Sequence, residues 1–133
     1  MFSNLLVRSL RASSNQRGYG DLKKKLVEIV PDISNQYTFL DINPDDVFLT
    51  EKVRSQHAFQ MDLLLRALEI FNNWKKQDLV NVVDVGDSAG THLLYLNGMA
   101  KEMGIAVRSM SVNLDPEAIR KIEACGMAAR QCR

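Results

Sequence analysis

The chain has 133 residues, enough for one domain or part of one, with 46% hydrophobic and 25% charged side chains, which excludes a disordered or collagen-like polymer. Its 17 basic residues nearly cancel its 16 acidic ones, and a net charge of +1 lacks the basic bias expected of a nucleic-acid binder. No run approaches the roughly 18 apolar residues that a membrane span needs.

Residues 1–20 carry Arg8, Arg11 and Arg17 but no acid, with Phe2, Leu5, Leu6, Val7 and Leu10 as their apolar set. That composition fits a flexible start or an organelle-targeting peptide. It makes the cytoplasm the expected compartment and the mitochondrial matrix the alternative. Residues 21–78 read as a mainly helical lead-in. Asp21 is placed to cap a short helix over 22–30, which Pro31 stops. Residues 37–40 and Val47-Phe48-Leu49 read as short extended pieces flanking the turn Asn43-Pro44-Asp45-Asp46. Thr50 is a good cap for a long helix reaching about Trp74. Val53, His57, Met61, Leu64, Leu68 and Phe71 recur on one face of it. His57 on that stripe reads as a packed, hydrogen-bonded core histidine. Lys23-Lys24-Lys25 reads as a solvated face.

Residues 79–133 change character. Leu79 to Val85 is β-branched and nearly continuously apolar, as expected of a strand covered on both faces. A small polar turn follows, Gly86 to Gly90. A helix over 91–103 ends at Gly104, a second strand spans 105–112, and Pro116 opens a helix that Gly126 closes. Residues 128–133 read as the start of a third strand. This alternation predicts an α/β fold: a helical N-terminal segment followed by a βαβα unit with parallel strands and a right-handed crossover.

The turn Val83-Asp84-Val85-Gly86-Asp87-Ser88-Ala89-Gly90-Thr91 carries most of the functional information. A side-chain-free bend lets a ligand approach the backbone where a helix begins. The segment resembles the first motif of class I S-adenosylmethionine-dependent methyltransferases. Asp84, Gly86 and Gly90 match that motif, and Ser88 stands at its middle glycine. The resemblance covers 79 to about 127 and implies an incomplete Rossmann-like methyltransferase fold with S-adenosylmethionine as cofactor. It implies cofactor contacts at Asp84, Gly86, Asp87, Ser88 and Gly90. The ribose position falls on Asn113, where the family usually has a carboxylate; Asp115, two residues on, is the alternative. A complete domain of that family resembles a seven-stranded sheet, so no catalytic residue is assignable here. The short sheet implies self-association or a missing C-terminal partner segment. Lys52 to Gln60 is similar to the lead-in helix of some sugar- or polysaccharide-cluster methyltransferases, which implies a carbohydrate or other small-molecule acceptor.

Two other readings compete. Gly86-Asp87-Ser88-Ala89-Gly90 also fits the nucleophile elbow of a serine esterase, with Ser88 attacking, and is similar to the hormone-sensitive-lipase family. No histidine follows His92, however, and no upstream His-Gly-Gly loop offers an oxyanion hole. The other reading is a non-catalytic interaction module retaining half of the cofactor site. His92 reads as a helix-surface residue and Asp87 as a bonder of its own turn. No Cys/His/carboxylate set has metal-ligand spacing, so no metal is expected. Cys125 and Cys132 read as free thiols in a reducing compartment.

Overall fold

The computed structural model describes residues 2–36, 42–75 and 78–132. The extended piece expected at 37–40 lies outside them. The elements run α1 (Phe2–Gln16), α2 (Tyr19–Ile29), α3 (Val47–Lys75), β1 (Val80–Val85), α4 (Thr91–Glu102), β2 (Val107–Asn113), α5 (Pro116–Ala124) and β3 (Ala129–Gln131).

The start of the chain is helical. Val7 and Ser14 of α1 are buried, Ser14 shares a 3.1 Å hydrogen bond with Ser55 of α3, and Arg11 Nε lies 3.2 Å from Glu51 Oε2. Helix α2 begins at Tyr19, so Asp21 lies in its first turn rather than at its cap. Its last helical residue is Ile29, two before Pro31. Lys23, expected on a solvated face, is instead paired with Glu51 and its side chain is 15% exposed. Glu51 collects both Lys23 and Arg11, which draws α1 and α2 onto α3.

Helix α3 begins at Val47, so the extended piece expected at 47–49 is helical. The cap is Asp46, not Thr50: Asp46 Oδ1 accepts from the Leu49 amide at 2.9 Å. A carboxylate satisfying a first-turn donor outweighs the strand preference of Val-Phe. The stripe expected on this helix buries Val53, His57, Met61 and Leu68, while Phe71 stays 38% exposed.

The three strands are parallel in the order β1-β2-β3, with Val80 opposite Val107 and Val85 opposite Val112. Both crossovers carry the chain the same way across the sheet. Right-handed connections therefore put α4 and α5 on one face. Val80 and Val82 point to that face and pack with Leu93, Leu96 and Ala100 of α4 and Leu68 of α3. The opposite face is open: Val83 is 56% and Val85 79% exposed. The expectation of a strand covered on both faces is thus corrected. Among the described residues nothing is packed over Val83 and Val85. Among them, β1 also has no strand on its other edge. No helix among them is long and apolar enough to cross a membrane.

A second core joins the helical half to the sheet half, through Leu26 of α2, Ala58 and Met61 of α3, and Tyr95 and Met99 of α4. Arg54 ties this junction together. Only 6% exposed, it donates from Nη1 to Val30 O at 2.7 Å and to Tyr95 Oη at 2.8 Å, and from Nη2 to Pro31 O at 2.6 Å. Removing the fork leaves the buried Tyr95 Oη and two part-buried carbonyl oxygens without this donor. Arg54→Ala should therefore lower stability by about 2–4 kcal/mol in urea unfolding, with Arg54→Lys falling between it and the parent.

Candidate functional site

The turn after β1 is built by one aspartate and two glycines. Gly86 has φ +90°, is exposed, and would meet nothing within 4 Å if it carried a Cβ. Gly90, at φ +79°, is buried with the Ile122 backbone of α5 3.5 Å from where its Cβ would stand. Between them Asp87 turns inward. Its Oδ1 accepts from the Ala89 and Gly90 amides, both at 3.1 Å, which is the turn-bonding expected of it. Its Oδ2 is buried with no partner, and the residue is 3% exposed.

The end of β2 supports this turn. Asn113 Nδ2 donates to Asp87 O at 2.8 Å, and Asn113 Oδ1 accepts from the Asp115 amide at 3.0 Å. Asp115 Oδ1 caps α5 by accepting from the Glu117 amide at 2.9 Å. Ser88 Oγ donates to Gln36 O at 2.5 Å. The structure therefore brings all seven expected residues to the C-terminal ends of β1 and β2. Asp84 and Gly86 border open space, while Asn113, Asp115 and Ser88 already serve the local fold. The amides of Ala89 and Gly90, two of the helix-start donors that a ligand would otherwise meet, are taken by Asp87.

Beside the turn lies a cleft of about 370 Å³ between β1, α3 and α4. Gln60, Met61 and Leu64 form one wall, and Asp84, Gly86, Asp87 and His92 form the polar end. His92 was expected on the helix surface; it belongs instead to this cleft, with its side chain 26% exposed. Side chains in a first helical turn lean back toward the helix N-terminus, which carries His92 over the strand end. Its Nε2 lies 3.1 Å from Gln60 Oε1 and its Nδ1 3.6 Å from Asp84 Oδ2. Burial alone pulls its pKa down, but contact with Asp84 and the charges of Asp87 and Asp84 outweigh that and raise it. Linear spacing showed no metal-ligand set, yet one ligand atom from each of Asp84, Asp87 and His92 lies within 4.8 Å of the others.

His57 is a core histidine, as its place on the α3 stripe suggests. Its ring meets that of His92 edge-on at 5.6 Å, and its Nδ1 lies 3.3 Å from Tyr95 Oη. Because Arg54 donates to that oxygen, the Tyr95 hydroxyl hydrogen is left to point at His57. His57 is thus held as a neutral acceptor.

The chain matches no family model, no curated protein and no solved structure.

Burial, then the neighbouring His92 and Arg54, push His57 from 6.5 to about 3. Between those values the unfolded chain binds more protons than the folded one. This contribution to stability is complete above pH 6.5 and is lost progressively as pH falls toward about 3. His57→Asn keeps an acceptor for Tyr95 but cannot titrate. Its urea midpoint should vary less with pH across this window than that of the parent chain.

Proposed function

We propose that the chain is the cofactor-binding part of a class I S-adenosylmethionine-dependent methyltransferase with an incomplete Rossmann-like fold. The observation that carries this reading is the unobstructed Gly86 bend at the C-terminal end of a parallel strand, opening on a cleft along the free edge of β1. In open α/β sheets ligands bind outside the carboxyl ends of strands, where the sheet changes direction. The β1-α4-β2-α5-β3 order agrees with the first half of such a domain.

In this reading Gly86 lets the adenosyl compound approach the backbone, and Asp84 lies at its polar end. Asp87, Ser88, Gly90 and Asn113 hold the bend in shape. The ribose hydroxyls would be met by the second amide hydrogen of Asn113 and the remaining carboxylate oxygen of Asp115. The acceptor is a carbohydrate or other small molecule, whose alignment with the sulfonium methyl group would supply most of the acceleration. The bare face bearing Val83 and Val85 is closed by self-association or by a C-terminal segment of the same domain. The esterase reading gains no support: Ser88 gives its hydroxyl hydrogen to Gln36 O, and neither His57 nor His92 accepts it.

Calorimetric titration with S-adenosylhomocysteine should give saturable heat at ligand concentrations below about 1 mM. Gly86→Val, which strains a positive-φ bend and fills the approach, should weaken binding by at least about tenfold while the far-UV spectrum is kept. A folded parent chain that gives no heat sinks the cofactor reading and leaves the interaction module.

A further inference from the structure

We propose that Asp84, Asp87 and His92 form a binding site for a divalent first-row transition ion, such as Mn²⁺, at the C-terminal end of β1. Two observations carry it independently of the methyltransferase reading. The first is the cluster itself: two carboxylates and an imidazole with one ligand atom each inside 4.8 Å. Metal–oxygen and metal–nitrogen bonds run about 2.0–2.2 Å, so the three side chains need to close by only about 1 Å around an ion.

The second is a surplus of acceptors with no donor. Asp87 Oδ2 is fully buried and unpartnered, and Oδ1 is already committed to the turn amides. Gln36 Oε1 is likewise buried without a partner, and it lines the same small cavity of about 120 Å³ as Asp87, His92 and Gln60. Leaving a buried carboxylate oxygen unmatched is costly, and a cation placed between these oxygens removes that cost.

The surroundings of His92 fit a ligand role. With Gln60 Oε1 accepting from Nε2–H, the nitrogen facing Asp84 at 3.6 Å is Nδ1, which would give up any proton it holds when it ligates an ion. A ligating histidine ordinarily donates its second ring N–H to such an acceptor, which fixes both tautomer and ring orientation. Mixed carboxylate and imidazole ligation suits Mn²⁺ and its first-row neighbours better than Ca²⁺ or Mg²⁺, which favour all-oxygen sets. Asp84, Asp87 and His92 also line the larger cleft, so an ion there would turn its remaining coordination positions toward any molecule in it.

The test is titration of the full chain with Mn²⁺ alone, following the electron paramagnetic resonance signal of the free ion. One equivalent should bind with micromolar Kd, and binding should raise the melting temperature by mass action. Asp84→Asn and His92→Gln should each weaken it by at least about tenfold, and Gln60→Leu should weaken it to a similar degree through the histidine. Asp87→Asn should do the same while still accepting the Ala89 and Gly90 amides through its own Oδ1. Melting without metal checks each fold; should Asp87→Asn melt early, Asp84→Asn and His92→Gln decide the matter. A folded chain that binds no Mn²⁺ at millimolar concentration overturns the site. So does binding that is unchanged in both Asp84→Asn and His92→Gln. No adenosyl compound is present, so the outcome is separate from that of the cofactor titration.

Discussion

The inward carboxylate of Asp87 is the constraint on which the rest of the site depends. It sits at the point where β1 hands over to α4, the longest helix of the sheet half, and it is almost completely buried. One oxygen holds the start of α4 through two amides, and the backbone carbonyl of the same residue is held by Asn113 from the neighbouring strand. The bend is therefore stitched both to the helix it begins and to the strand beside it. A charge so enclosed is unfavourable unless its lone pairs are used. One oxygen is satisfied and the other is not, which makes this a chemically unfinished point of the molecule. The open glycine beside it, the histidine leaning over it and the cleft in front of it all converge there.

The helical half supports that point from behind. Arg54, in the first third of α3, bridges the residues just after α2 to Tyr95 of α4, and Tyr95 in turn orients His57. His57 lies edge-on to His92, so a continuous polar seam runs from a buried guanidinium to the cleft. Burial pulls the pKa of both histidines down, and their neighbours set them apart. Burial, then His92 and Arg54, hold His57 neutral, while His92 gains two carboxylates and favours charge. Two residues of one type thus take a structural and a site role through their neighbours alone.

The sheet half is asymmetric. Because both crossovers turn the same way, one face is packed and the other shows valines to solvent. A strand as apolar as Leu79 to Val85 belongs in a sheet covered on both sides. In this structure the pattern is met on one face alone, where Val80 and Val82 pack against α3 and α4.

Much was determined by the sequence alone. The order of strands and helices from β1 onward, the bend at 86–90, the proline that opens α5, and His57 as a core residue all follow from local rules: periodicity, capping and backbone freedom act within a few residues. Those rules failed where two local preferences compete, as at Val47 to Leu49, where the cap at Asp46 won. Tertiary structure alone decided which face of β1 stays open, that Lys23 is enclosed by Glu51, and that His92 meets Gln60 from another helix. It also decided that Asn113 and Asp115 spend polar groups on the turn, and that residues 84, 87 and 92 share one small volume. Each is a contact set by how a strand, a bend and two helices are oriented in space, which linear spacing does not encode.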